Sequence, residues 1–175
     1  IEKLSSPEAW KERMPIRLRP AAMPMEDNPV KSDEDCSAEI GLCYDGEALY
    51  IAADITDDMP FVNDRVNGDI WQGDCLEFVL SINPNADLNR KRFEAGKDFQ
   101  ILASPGSDSG KIEPHIWIAT QKRRLKTTYV VRKTVKGYFQ FIVLPWRELG
   151  DYRPARGDAV GFDVCLLYTS PSPRD

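Results

Sequence analysis

The sequence predicts an all-β protein, an antiparallel β-sandwich of the jelly-roll or immunoglobulin-like two-sheet kind with short helical turns. Three observations predict it. Short runs of alternating apolar and polar residues recur along the 175 residues. Turn-forming residues separate them, among them Asp45-Gly46 and the run from Pro105 to Gly110. Helical periodicity is almost absent, so the apolar strand faces must be buried against one another in two layers.

Taken in order, Ser6 followed by Pro7 predicts a short helix or turn over residues 6–13, with Ser as N-cap and Pro at the first helical position. Residues 16–18 read as a brief strand, and 21–35, rich in Pro, Met and acids, as a long loop. Residues 38–44 alternate as a strand, and Asp45-Gly46 turns the chain into a second at 49–52. Further strands are expected at 75–82, 98–103, 115–119, 127–133, 138–143 and 160–164. Pro145 to Gly150 reads as a single helical turn closed by Gly. The basic run from Lys122 to Lys126 reads as a solvated loop between strands. With no internal repeats and no low-complexity linkers, the chain is expected to be one domain, long enough to bury its own core.

Apolar content of 42% with 29% charged residues is that of an ordinary globular protein. A net charge of −5 argues against nucleic acid, which requires a clustered basic face. No apolar run is long enough to span a membrane, so no membrane insertion is expected. No signal peptide is visible. The chain opens at Ile1 rather than Met, which fits a leader lost with a missing beginning. Setting aside Cys165, the cysteines Cys36, Cys43 and Cys75 are odd in number and lack metal-ligand spacing, so no functional disulfide is expected.

The most telling segment is 69–80. A loop carrying Trp71 runs into a strand in which Leu76, Phe78 and Leu80 share one face. Glu77 takes the other face with Cys75. An indole beside a carboxylate suits a sugar: the ring packs on the C–H face of a pyranose and the carboxylate accepts from its hydroxyls. The plainer alternative is a Trp that plugs the end of the sandwich and a Glu that is merely solvated.

Four stretches, residues 48–58, 71–80, 137–150 and 157–164, together resemble the family 9 carbohydrate-binding modules in order and spacing. The resemblance implies a non-catalytic β-sandwich that recognises a saccharide. It also implies attachment to a glycoside hydrolase or other domains of a larger parent polypeptide, in an extracellular or cell-envelope setting. On the positions that match, Trp71 would stack on the sugar, Glu77 would accept from its hydroxyls and Gln100 would add a polar contact. Where the family commonly carries Arg, Gln100 keeps donor and acceptor capacity but lacks the charged fork. Asp74 is expected to close the loop before the strand.

Some members of the family carry structural calcium. Asp54, Asp57, Asp58, Asn63 and Asp64 supply hard oxygen donors, and Asp57 with Asp58 would hold such an ion and pin the Trp71 loop. The spacing is not that of an EF-hand, and a hydrophilic loop is the simpler reading. Catalysis lacks support. Asp74 and Glu77 would face different sides, and the sole histidine, His115, has no nucleophile motif and reads as a half-exposed strand residue. Two other classes stay open: a structural or protein-interaction sandwich without sugar binding, and a haem-binding redox domain using Met59 and His115, for which no spacing speaks. Trp146 reads as a packing residue and Trp10 as an N-terminal plug. Trp117 lies either on the polar face as an extra platform or in the core.

Residues 165–175 resemble one reading frame of a transposase adapter used in sequencing libraries. The expected domain is therefore 1–164, incomplete at its C-terminal end, with a non-native tail, as in a metagenomic fragment. The family's second sandwiching aromatic would then lie beyond the chain.

Overall fold

Ten β-strands make up two five-stranded antiparallel sheets in the computed structural model, which describes residues 1–20, 30, 32–59, 61–83, 85–87 and 89–168. In chain order the strands are β1 (Ile16–Leu18), β2 (Cys36–Tyr44), β3 (Ala48–Asp57), β4 (Cys75–Ser81), β5 (Asp98–Ser104), β6 (His115–Ile118), β7 (Arg123–Leu125), β8 (Tyr129–Thr134), β9 (Gly137–Pro145) and β10 (Gly161–Leu167). The first sheet runs β1-β2-β3-β9-β8 and the second β10-β4-β5-β6-β7. The expected all-β sandwich is the architecture found, with single 3-10 turns as its only helical elements among the described residues.

Alternation along the strands builds the core. Leu76, Phe78 and Leu80 of β4 and Phe99, Ile101 and Ala103 of β5 meet Ile51, Ile55, Tyr138, Ile142 and Leu144 of the first sheet. The β2–β3 hairpin is closed by Asp45, whose Oδ1 accepts from the Glu47 and Ala48 N–H groups at 2.8 and 3.0 Å. Gln140 alone breaks the apolar pattern of β9. It faces the core at 0% exposure, and its amide meets no partner among the described residues.

The two outer faces differ, and the difference positions the site. The N-terminal 3-10 turns fold over the first sheet, where Trp10 packs with Tyr50, Phe139 and Phe141. Gly41 permits this close approach, because a Cβ there would stand 2.5 Å from the Arg13 carbonyl and 2.7 Å from the Trp10 ring. Among the described residues no segment covers the whole outer face of the second sheet, which carries the polar residues of β4, β5 and β10.

One element departs from the expectation. The basic run was expected to be a loop, but Arg123 to Leu125 forms β7 and pairs Ile116 with Leu125 and Ile118 with Arg123. The one apolar residue of that run is buried there, and three residues are too few to display a period. Strand β10 continues through Cys165, Leu166 and Leu167, the first residues of the segment that resembles adapter sequence, and pairs them with Glu77, Leu76 and Cys75. Of the long loop expected at 21–35, residues 21–29 and 31 lie outside the described residues. Among the described residues no helix is long and apolar enough to cross a membrane.

Candidate functional site

The outer face of the second sheet follows from register. Glu77 pairs with Cys165 on one side and Leu102 on the other, Leu102 with Trp117, and Trp117 with Arg124, so one row crosses the whole sheet. In the next row Val79 lies between Gln100 and Asp163. Glu77 therefore has Gln100 on one diagonal and Asp163 on the other. Gln100 Nε2 donates to Glu77 Oε1 at 2.5 Å. That bond orients one carboxylate oxygen and leaves acceptor capacity on the other.

Trp71 reaches this face on a different element. The 3-10 turn Asn67–Gln72 sits over the β4–β5–β6 rows, held by Ile70, which is fully buried against Cys75 and Leu102 with Trp117, Ala119 and Leu167 around it. Burying Ile70 turns its neighbour outward, and Trp71 is 56% exposed. Gly68 lies above the Trp117 indole, at a distance where an added Cβ would touch Nε1 at 3.6 Å. Trp117 is thus on the outer side, in parity opposite to Ile116 and Ile118, and half-buried under the turn.

Polar brackets hold the turn from beneath. Asn63 Nδ2 donates to the carbonyls of Ile70 (2.7 Å) and Asp74 (2.9 Å), and its Oδ1 accepts from the Arg65 N–H at 3.0 Å. Asp74 Oδ2 accepts from the Val62 N–H at 2.6 Å, and the Asp74 N–H returns to the Val62 carbonyl at 3.2 Å. Asp74 thus closes the loop before β4, as expected of it. Nearby, burial pushes the Asp57 carboxyl up to about 6, the charges of Asp74 and Asp58 adding to this against a bond from the Met59 N–H.

The structure brings Glu77 and Gln100 into contact and holds Trp71 exposed on the turn that docks on the same sheet face. The pair considered for calcium, Asp57 and Asp58, ends β3 and follows it. Among the described residues no three acidic, His or Cys side chains group as they would to hold a metal ion. Asn63, counted among its donors, has its amide engaged by the turn.

His115 differs from its expected half-exposed state: it is 5% exposed, with Nδ1 3.0 Å from the Glu113 carbonyl, and burial lowers its pKa. The outward face is closed at that end of β5–β6, since its partner Ser104 is also fully buried. Trp146 is buried and donates from Nε1 to the Asp45 carbonyl at 2.8 Å, and Trp10 covers the first sheet, both as expected. Sequence reasoning missed Ile70 as the anchor and Asp163 as a third polar group. The alternation of Phe162 and Val164 around Asp163 carried a signal for the latter.

A family model described as carbohydrate family 9 binding domain-like matches residues 8–170. No match is found among curated proteins or among solved structures.

Proposed function

We propose, from the premise that the chain belongs to the carbohydrate family 9 binding domain-like family, that the outer face of its second sheet recognises a saccharide without chemical conversion. Trp71 stacks on a sugar ring, Glu77 accepts from ring hydroxyls and Gln100 fixes the carboxylate while offering its own amide. The observation that carries this reading is an indole left 56% exposed on a turn anchored by the buried Ile70 and by the Asn63 amide. A large aromatic kept in water on a rigid support is a stacking platform in waiting. So few contacts predict affinities of about micromolar to millimolar. The module serves as an appendage of a glycoside hydrolase or other larger secreted or envelope-associated polypeptide, bringing it to its saccharide.

Titration calorimetry with neutral mono- and oligosaccharides, with tryptophan fluorescence as a second readout, tests the assignment. Binding that is lost in Trp71→Ala and weakened in Glu77→Gln is the expected result. Undiminished binding by Trp71→Ala, or no saccharide bound by the native chain, overturns it.

A further inference from the structure

Between β4 and β5, residues 89–93 lie against the same sheet face at its Ser81–Asp98 end. Arg90 fastens them: Nε and an Nη atom bind the two Asp98 carboxylate oxygens at 3.1 and 2.8 Å, and the same Nη reaches Ser81 Oγ at 3.2 Å. Asp98 also accepts from the Glu94 N–H at 2.7 Å. Burial alone would raise the Asp98 carboxyl, but these bonds and the Arg90 charge bring it below its ordinary value. Arg90 is therefore neutralised in place, and the next three residues are presented by a fixed support.

Those residues are Lys91, Arg92 and Phe93. With Arg90 and Asp163 they line an open depression of about 750 Å³, a shape that suits a ligand lying along the surface. Lys91 and Arg92 are exposed and form no ion pair among the described residues, and Phe93 is 52% exposed. Once Arg90 and Asp98 cancel, the two cations outnumber Asp163, the one acid lining the depression. Asp163 pairs with Val79, two residues along β4 from Glu77, a step of about 7 Å. Through Asp163 the depression thus reaches the strand position diagonal to Glu77.

We infer that Lys91, Arg92 and Phe93 form a second subsite that takes an acidic sugar residue, one bearing a carboxylate or a sulfate ester, adjoining the residue held at Trp71 and Glu77. The inference rests on the saccharide reading given above and names its ligand class. Phe93 supplies a ring face, Asp163 accepts from hydroxyls, and the Arg92 fork with the Lys91 ammonium meets the anion.

Calorimetry compares a neutral disaccharide with its uronic-acid and sulfated counterparts at low and high salt. The acidic ligands bind roughly three- to tenfold tighter at low salt, as two exposed charge contacts allow, and added salt shrinks the margin. The doubly substituted Lys91→Glu, Arg92→Glu chain, with its melting temperature as fold control, reverses the preference. Which acidic ligand gains most identifies the anion. Phe93→Ala lowers disaccharide affinity more than monosaccharide affinity. Neutral and acidic ligands binding equally well, or a preference that survives the double substitution, overturns the subsite alone. Failure of every saccharide to bind overturns it together with the Trp71 assignment.

Discussion

Asn63 donates an amide proton to the Ile70 carbonyl at 2.7 Å and its second to the Asp74 carbonyl at 2.9 Å, so one buried side chain ties the turn that carries Trp71 to the start of β4. The exposed indole owes its position to an amide that never meets solvent: Asn63 is 1% exposed.

Asn63→Ala takes the side-chain donor from two carbonyls, leaving Ile70 the longer bond from the Gly73 N–H at 3.4 Å, and lowers unfolding free energy by about 1–3 kcal/mol in a urea melt. Saccharide affinity falls with it, although Asn63 faces away from the ligand. Asn63→Asp does not rescue, because it aims a carboxylate at two carbonyl oxygens. Gly73→Ala acts on the same bracket, since its Cβ would stand 2.6 Å from Asn63 Cγ.

Ile70 and Trp71 are neighbours in sequence with opposite duties. Ile70→Ala empties a fully buried anchor and costs about 2–4 kcal/mol. Trp71→Ala removes an exposed ring and shifts stability by no more than about 0.5 kcal/mol. Paired denaturation curves check the contrast: equal losses from the two substitutions contradict it.

Asp57 makes stability depend on mildly acidic pH. Its folded pKa, about 6, lies above the ordinary carboxylate value of about 3.9. Between those values the unfolded chain releases the proton while the folded chain keeps it, so the contribution of Asp57 to stability falls as pH rises from about 4 to about 6. The penalty is then complete at neutral pH. Asp57→Asn keeps an acceptor for the Met59 N–H and removes the titration. Denaturation midpoints measured from pH 4 to 7 lose this Asp57-linked decline in the variant, which is the more stable protein at pH 7.

Gln140 occupies the core without a hydrogen-bond partner among the described residues. Gln140→Met keeps the length of the side chain and discards the unsatisfied amide, raising stability by about 1 kcal/mol. A thermal melt registers this as a rise of about 2–4 °C in Tm.

Much of the sandwich was legible because strand parity is a local property. Leu76, Phe78 and Leu80 declare one face and Glu77 the other, and Phe99 and Ile101 do the same for Gln100, whatever lies elsewhere in the chain. The Asp45-Gly46 turn and the Pro145–Gly150 region were equally readable, since each is decided within a few residues. Strand β7 was not, because Leu125 is its only apolar residue and its partner Ile116 is nine positions away.

Which side chains share a sheet face can be read from the chain alone, because the two-residue period of a strand is written in consecutive residues. The folded arrangement alone exposes Trp71. Its orientation depends on Ile70 docking against Leu102 and Trp117, and on Asn63 spanning the turn from below. The same arrangement closes Arg90 on Asp98 and leaves Lys91 and Arg92 outward. Contacts of this kind join residues that no period relates, so they exist only once the chain has folded.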